Sequence, residues 1–262
     1  MGSSKHGIGS RIMRSEVGGF SARFAFLKGT FLHPQWFAHR HEKSLFEFIV
    51  GQTGMRVLDV GCSDQRIKKS LPANCEYTGL DYYSTATEWY KTRPTIYGDA
   101  HALPFADAQF DTVLLIDVLE HLEAPDACMK EIERVLKNGG NFFLKVPFMY
   151  PIHDAPVDFH RWTRFGLLQL VRRHGFRVVI DRHIGEPVET AALLTNIAWS
   201  KTVLRWARSS NPMMLLGLLL PPAVMLTNLL SKIMSSVSAS DDMMPHGYLL
   251  VLQKNGRDKT ST

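Results

Sequence analysis

The feature that most constrains this chain is a short apolar strand that contains an acid and turns sharply into polar residues. Residues 57–60 read Val-Leu-Asp-Val, an aliphatic run typical of a strand buried on both faces of a parallel sheet. Gly61 follows, and small or polar residues continue to Gln65. Such a turn leaves backbone N–H groups at the carboxyl edge of the sheet, where open α/β proteins bind ligands.

A second predicted strand also ends in an acid. Residues 77–81 read Tyr-Thr-Gly-Leu-Asp, so Asp81 follows Asp59 by roughly 20 residues, the spacing of a ribose-binding carboxylate after a nucleotide-binding turn. The two acids are therefore predicted to frame a nucleoside at one edge of a twisted sheet.

Alternating strands and helices predict an α/β fold with a doubly wound sheet and helices on both faces. Strands are expected near residues 55–60, 76–82, 94–98, 111–117, 140–147, 176–182 and 246–253. The best-defined helix runs from Pro125 to Lys137, where Asn138 and Gly139 are expected to stop it. Another helix is predicted over 39–50.

Four motifs in order resemble the class I S-adenosylmethionine (SAM)-dependent methyltransferases, close to the type 11 group. They occupy residues 57–62, 79–81, 98–105 and 110–122, the last followed by 135–140. The resemblance covers residues 55–183 and the final strand. It implies a Rossmann-like sheet of seven strands with an antiparallel last strand, and SAM as the cofactor.

One departure from the family pattern lies in the turn after the first strand. The family usually has glycine at two positions where this chain has Ser63 and Gln65. Glycine permits positive φ angles there. We expect Ser63 to be tolerated and Gln65 to begin the next helix, with weaker SAM binding as the alternative.

The resemblance implies a role for each residue around the cofactor. Asp81 would accept hydrogen bonds from the ribose hydroxyls, because an ionised carboxylate is an acceptor only. Asp59 would orient the turn and the methionine amino group. The other implied contacts are Gly61 and Cys62 with the methionyl part, Tyr82 on the adenine, Asp99 and Ala100 at the polar edge of the adenine, and Asp117 beside the transferred methyl group. For each acid, the alternative is a loop or helix-cap carboxylate.

Two places are candidates for the acceptor side of the reaction. His121 follows the fourth strand and is either a pocket histidine or a structural residue at a helix start. The loop 146–163 leaves the fifth strand at its carboxyl edge and carries His153, Asp154, Asp158, His160 and Arg161 among aromatics and prolines. It resembles a type 11 subgroup associated with envelope polysaccharide and lipid-linked sugar pathways.

Two interpretations of this loop stay open. In the first, a His153–Asp158 pair is a general base for a hydroxyl acceptor, while His160 and Arg161 bind the acceptor through a phosphate or carboxylate. In the second, Asp158 and Arg161 form an internal ion pair and Thr163 caps the next helix. We predict no metal site, because the chain shows no cluster with metal-ligand spacing.

Composition limits the architecture and the compartment. The 262 residues are 45% hydrophobic, which suffices for one core with additions. Three cysteines without a disulfide pattern favour a reducing, cytoplasmic compartment. The formal charge of +5 is concentrated in residues 1–44, which are also aromatic. This arm is interpreted as a solvated tail, a lid over the cofactor, or a segment that binds an anionic membrane or a phosphate-bearing substrate.

An apolar insertion precedes the last strand. Residues 209–231 contain no formal charge and are interrupted by Pro221 and Pro222. We expect two apolar helices joined at the prolines and dipping into one leaflet, with peripheral contact to the inner membrane face through 191–232. A single crossing is excluded, since the last strand must return to the same sheet. A helical cap or a homodimer interface is the alternative.

The predicted organisation is an arm or lid over 1–44, a methyltransferase core over 45–183 and 247–255, an insertion over 184–246, and a tail over 256–262. The predicted function is methyl transfer from SAM to a small, amphiphilic or lipid-linked acceptor, with oxygen favoured. A catalytically inactive scaffold at a membrane is the main alternative. A nucleic-acid acceptor ranks last, because no RNA-binding module or aromatic and basic repeat is present.

Overall fold

The computed structural model describes residues 27–256. Most of the predicted arm over 1–44 and all but the first residue of the predicted tail over 256–262 lie outside the described residues.

One seven-stranded sheet organises the chain. Its strands are β1 (Arg56–Val60), β2 (Glu76–Asp81), β3 (Ile96–Tyr97), β4 (Phe110–Ile116), β5 (Leu136–Pro147), β6 (Phe176–Ile184) and β7 (Gly247–Lys254). Their order is β3-β2-β1-β4-β5-β7-β6. β1 pairs in parallel with both β2 and β4, whereas β7 pairs antiparallel with β5. The predicted fold class, with its antiparallel last strand, is confirmed.

α-Helices, 3₁₀ helices and a π-helix connect the strands. The α-helices are α1 (Trp36–His39), α2 (Glu42–Val50), α3 (Pro125–Val135), α4 (Arg164–Arg173), α5 (Pro187–Arg208) and α6 (Leu220–Val237). Three 3₁₀ helices span Arg66–Ser70, Leu119–His121 and Pro212–Leu219, and a π-helix spans Thr85–Tyr90. Thr163 caps α4 as the second interpretation of its loop predicted, because its hydroxyl accepts the Gly166 N–H at 3.2 Å.

Strand alternation divides the core into two apolar layers. Along β1, Val57 packs in one cluster and both Leu58 and Val60 pack in the other. All three side chains are essentially inaccessible to solvent. Because side chains alternate along a strand, Asp59 lies on the same face of the sheet as Val57.

The predicted end of the helix that begins at Pro125 is wrong. α3 ends at Val135, and Leu136 already has an extended backbone and pairs with Phe110 of β4. Burial of the Leu136 side chain favours this early exit. Gly139 therefore lies inside β5 with a φ of 73°.

The third strand is shorter than the predicted 94–98. It contains only Ile96 and Tyr97. Pro94 has no N–H to donate to a strand ladder. The Thr95 hydroxyl accepts the Gly79 N–H at 3.1 Å, so a side chain replaces one ladder acceptor.

The described chain divides into two compact units. The sheet unit contains Ser44–Phe148, Phe159–His183 and the chain from Gly247 to residue 256. The helical unit contains residues 27–43, Met149–Asp158 and Ile184–His246. The predicted domain boundaries stay a prediction.

The helical unit has a small core and a buried ion pair. Its apolar cluster consists of Trp36, Phe37, Ala192, Leu193 and Ile197, with Ala38 and Tyr150 packed against it. The Arg40 guanidinium donates to the Glu189 carboxylate at 2.7 Å and lies over the Trp36 and Phe37 rings. These contacts fix α1 against α5.

The insertion contains the apolar helical stretch that the sequence predicted. Pro212–Val237 is long and apolar enough to cross a membrane by length and composition alone. Pro221 and Pro222 lie in the first turn of α6, where a missing N–H costs no helical hydrogen bond. The prolines therefore divide the stretch into a 3₁₀ segment and an α-helix, in place of two α-helices.

Truncating one buried side chain of α3 tests the packing of the core. We expect Ile132→Ala, which empties a fully buried site, to lower the free energy of unfolding by about 2–5 kcal/mol. Lys130→Ala on the exposed side of the same helix should change it by less than about 0.5 kcal/mol. Urea denaturation of both variants measures the difference, and equal values would contradict the assigned burial.

Candidate active site

Two buried carboxylates occupy one face of the sheet near its carboxyl edge. Asp59 of β1 pairs with Gly79 of β2, and Asp81 lies two residues further along β2. The Asp59 and Asp81 side chains therefore point to the same side. They are only 7% and 3% exposed, so both acids are protected from solvent.

Asp81 holds the turn after β1 through backbone hydrogen bonds. One carboxylate oxygen accepts the Ser63 N–H and the other accepts the Tyr82 N–H, each at 2.7 Å. Burial raises the pKa of Asp81 above its usual value, and the two N–H donors oppose that rise. The carboxylate is thus fixed in orientation before any ligand arrives.

Asp59 is held by Tyr77, a residue that the sequence analysis missed. The Tyr77 hydroxyl donates to the Asp59 carboxylate at 2.8 Å. Burial raises the pKa of Asp59 to about 6; the Tyr77 hydrogen bond opposes this and the nearby Asp81 charge adds to it. A Cβ at Gly79 would lie 2.9 Å from the Cys62 Sγ and 3.0 Å from the Tyr77 hydroxyl, so glycine here leaves room for both side chains. The alternation of residues 77, 79 and 81 on one face was the available signal.

The turn keeps a glycine-like backbone despite its two substitutions. Gly61, Ser63 and Gln65 have φ angles of 72°, 42° and 55°. The expectation that Gln65 begins the next helix is wrong, since it has a left-handed backbone and precedes the 3₁₀ helix that starts at Arg66. A non-glycine residue in this region costs roughly 1–2 kcal/mol. The Gln65 side chain, which donates to the Arg93 carbonyl at 2.8 Å, contributes an opposing contact.

Gly61 and Cys62 direct their backbone N–H groups into the protein. Both donate to the Leu80 carbonyl, at 2.8 and 3.1 Å. A Cβ at Gly61 would approach Val118 to 2.4 Å, which explains the need for glycine. Burial raises the pKa of the Cys62 thiol to about 12, with the charges of Asp59 and Asp81 adding to the effect. The Cys62 thiol therefore stays protonated and uncharged beside the two acids.

The next motif forms a small loop after β3. The Asp99 carboxylate accepts the His101 N–H at 2.9 Å and lies 2.6 Å from the imidazole Nδ1. Partial burial alone would raise the pKa of Asp99, but the contacts from His101 outweigh it and lower the pKa. Ala100 is buried beside it, whereas Tyr82 is 57% exposed and available to a ligand. His101 was another residue that sequence reasoning missed.

Asp117 lies at the carboxyl end of β4 with a φ of 54°. Its N–H donates to the Lys145 carbonyl at 2.9 Å, and its carboxylate forms an ion pair with the Lys145 ammonium group. The Asp117 carboxylate, which was predicted to lie beside the transferred methyl group, is therefore paired with the Lys145 ammonium group of β5.

The acceptor candidates divide between the two units. In the sheet unit, the 3₁₀ helix that follows β4 holds His121, whose Nε2 lies 3.7 Å from a carboxylate oxygen of Glu120. In the helical unit, the His153 N–H donates to Asp158 at 2.9 Å, and the His153 Nδ1 lies 3.4 Å from the same carboxylate oxygen. The predicted His153–Asp158 pair is thus in contact, and its catalytic role stays a prediction.

His160 and Trp162 carry buried nitrogens that lack partners. The Phe159 and His160 N–H groups donate to the Glu120 carbonyl at 2.9 and 3.1 Å, which fixes this segment beside the end of β4. The His160 and Trp162 rings are 5.4 Å apart. Neither His160 Nε2 nor Trp162 Nε1 has a hydrogen-bond partner among the described residues. The predicted substrate residue Arg161 donates to the His160 carbonyl at 2.8 Å.

Comparison with known proteins matches the central part of the chain to one family. Residues 58–144 match the family described as a methyltransferase domain. The sterol 24-C-methyltransferase erg6 of Schizosaccharomyces pombe is 30% identical over 176 residues, covering 59% of this chain and 46% of that protein. The fatty-acid O-methyltransferase of Mycolicibacterium smegmatis is 36% identical over 122 residues, covering 42% of each. The chain thus spans less than half of the length of these relatives.

Solved structures show the same fold at low identity. The [4+2]-cyclase SpnF has a TM-score of 0.53 and 18% identity, covering 83% of this chain and 82% of its own. Because that neighbour is named a cyclase, the fold alone does not fix the reaction. Together, the family match and the fold confirm the predicted resemblance to class I SAM-dependent methyltransferases.

The residues fit SAM by charge and by preorganisation. SAM carries a sulfonium and an ammonium group, and this site contains two acids whose ionised forms burial disfavours. A ligand cation would stabilise those ionised forms. The carboxylate of Asp81, already oriented by two N–H groups, suits a ribose diol, and the exposed Tyr82 ring beside it suits a base. The individual roles predicted for these residues stay predictions.

Replacing Asp59 tests the electrostatics of the cleft. Its folded-state pKa of about 6 lies above the usual 3.8, so its contribution to stability falls as the pH rises from 4 through 6. Asn has no charge to bury and can still accept from Tyr77. We expect Asp59→Asn to raise the free energy of unfolding by roughly 1–3 kcal/mol at pH 8 and by much less at pH 4.

Urea denaturation at the two pH values measures this effect. The control is Asp64→Asn, since Asp64 is exposed in the same turn, where its ion pair with Arg66 is worth little. A pH-independent change in Asp59→Asn would contradict the assigned burial of charge.

Proposed function

We propose that this chain, whose residues 58–144 form a methyltransferase domain, transfers a methyl group from SAM to a small amphiphilic molecule, and that an oxygen receives it. The observation that carries the proposal is the pair of buried acids, Asp59 and Asp81, on one face of the sheet at its carboxyl edge. This is the place where doubly wound sheets bind nucleotides.

The cofactor supplies an activated methyl group on a positively charged sulfur. The protein then has to align the acceptor with that group and, for a hydroxyl acceptor, take up one proton. His121 is the base that we favour within the sheet unit. It follows β4 directly, and the fully buried Glu120 beside its Nε2 would stabilise the imidazolium ion that forms.

The acceptor site is assigned to the segment from Phe159 to Trp162. Its hydrogen bonds to the Glu120 carbonyl attach it to the end of β4, the strand next to β1. The indole Nε1 of Trp162 is a donor only, and the His160 Nε2 can donate or accept. A buried donor without a partner costs about 1–3 kcal/mol. An acceptor oxygen within hydrogen-bond distance of the Trp162 Nε1 would remove that cost.

The acceptor class rests on the relatives and on the apolar insertion. The relatives are named for sterol and fatty-acid methylation, one on carbon and one on oxygen. A third, the ubiquinone/menaquinone C-methyltransferase UbiE of Haemophilus ducreyi, is 32% identical over 127 residues and covers 48% of this chain and 44% of its own. Oxygen is favoured here because a histidine base and two polar nitrogens suit a hydroxyl or a carboxylate.

Product formation tests the proposed activity. Purified protein is incubated with SAM and a cell lipid extract, and S-adenosylhomocysteine is measured together with lipids that gain one methyl group. We expect product with the wild type and with Asp64→Asn, and at least about tenfold less with Asp81→Asn, which loses an ionic hydrogen-bond acceptor. Product formation that Asp81→Asn leaves unchanged would overturn the assigned cofactor site. SAM binding without any product would favour the inactive scaffold.

The Trp162→Phe variant tests the acceptor site. It removes one N–H and keeps most of the ring. We expect the KM for the acceptor to rise roughly tenfold, the equivalent of one hydrogen bond of about 1.4 kcal/mol, while SAM affinity stays constant. Steady-state kinetics and SAM calorimetry measure the two values. An unchanged acceptor KM, or a parallel loss of SAM affinity, would contradict the assignment.

A further inference from the structure

The helix α6 is amphipathic, but its polar side faces the protein and its apolar side is exposed. Its fully buried residues are Val224 and Asn228, and the polar Thr227, Ser231 and Ser235 are half-buried on the side facing the protein. Its exposed large side chains are Met225, Leu226, Leu229, Leu230, Ile233, Met234 and Val237. A surface helix in water normally buries its apolar stripe and exposes its polar one.

Buried polar contacts fix this orientation. The Asn196 amide of α5 donates to the Asn228 side-chain oxygen at 2.9 Å, and the Thr227 hydroxyl donates to Asn196 at 2.8 Å. Asn228 in turn donates to the Phe31 carbonyl at 2.8 Å. Rotating α6 to bury its apolar side would break this network and leave buried amides without partners.

The preceding 3₁₀ segment extends the apolar surface. Within Pro212–Leu219 no residue is buried, and the exposed large side chains are Met213, Met214, Leu215, Leu216, Leu218 and Leu219. Together with the exposed side of α6, this segment forms what we call the apolar face. Only 11% of the most apolar 18-residue window in Pro212–Val237 is buried. A contiguous surface of this kind marks an interaction site.

We propose that the apolar face lies in the interfacial region of an anionic lipid bilayer. In water, exposing these side chains is unfavourable, whereas in the acyl region of a leaflet they are solvated. Interhelical hydrogen bonds between amides, such as Asn196–Asn228, are also the contacts that hold helices together where the surroundings are apolar.

The charge of this segment favours a lipid bilayer over a second copy of the chain as the partner of the apolar face. From residue 190 to residue 240 the sequence contains no Asp or Glu, and its charges are Lys201, Arg205, Arg208 and Lys232. Lys201, Arg205 and Arg208 are exposed at the end of α5, directly before the 3₁₀ segment. Pairing two copies through this segment would bring two sets of cations together, and the segment contributes no acid to the interface. An anionic leaflet complements it, with each cation near the surface contributing about 1 kcal/mol.

The insertion leaves and rejoins the sheet at one point. The His246 N–H donates to the Ile184 carbonyl at 2.9 Å, and the strands that precede and follow the insertion, β6 and β7, are neighbours in the sheet. A single crossing by Pro212–Val237 would separate these two ends across the bilayer. The stretch therefore lies along one leaflet.

Vesicle flotation of the full-length protein tests this proposal without SAM or acceptor, so its outcome is independent of the proposed methyl transfer. We expect binding to vesicles of phosphatidylcholine mixed with phosphatidylglycerol, and weaker, salt-insensitive binding to phosphatidylcholine alone. The double variant Leu226→Gln/Ile233→Gln should lower the bound fraction at least about tenfold, because it removes two exposed aliphatic side chains that would enter the acyl region of the leaflet. Lys201→Glu/Arg205→Glu should abolish the preference for anionic vesicles.

The control is Phe165→Gln, which changes an exposed aromatic of α4 in the sheet unit and should leave vesicle binding unchanged. Circular dichroism and urea denaturation of every variant confirm that each remains folded. The proposal is overturned if the wild type does not float with anionic vesicles. It is also overturned if Leu226→Gln/Ile233→Gln binds vesicles normally, or if light scattering shows a dimer that this variant dissociates and that does not bind lipid.

Discussion

The candidate site is built around two buried carboxylates, Asp59 and Asp81, on one face of the sheet. Asp59 and Asp81 are both almost inaccessible, and the charge of Asp81 adds to the cost of ionising Asp59. Coulomb repulsion and desolvation oppose this arrangement. The Tyr77 hydroxyl and the N–H groups of Ser63 and Tyr82 offset part of the cost. What remains is a site that a bound cation would stabilise, as the proposed binding of SAM requires.

Several features of this site were predictable from sequence because they depend on local periodicity. Aliphatic strands that end in acids specified which faces and which edge would carry Asp59 and Asp81. The sheet order follows from alternating strands and helices, and from the resemblance. Tyr77 and His101 were not predicted, since each contacts its acid through the fold geometry rather than through a motif. Gln65 was misassigned because residue preference favoured a helix start, whereas the turn required a left-handed backbone.

The apolar insertion shows a different limit of sequence reasoning. Composition indicated that residues 209–231 are unusual, but not which side of a helix faces the protein. That side is chosen by a few buried amides: Asn196 and Asn228 hold the polar stripe inward and leave the aliphatic one outward. If the insertion binds lipid as we propose, it would concentrate the protein where a membrane-resident acceptor lies, and the proposed contacts of His160 and Trp162 would contribute the specificity.

Proton exchange on SAM binding shows whether Asp59 and Asp81 bind the positive charge of the cofactor. Calorimetry near pH 6, in buffers of different ionisation enthalpy, counts the protons exchanged. Because the cofactor charge should lower the pKa of Asp59 from about 6, we expect proton release on binding, and its loss in Asp59→Asn. Binding of equal affinity and without proton release in both proteins would contradict this role of the two acids.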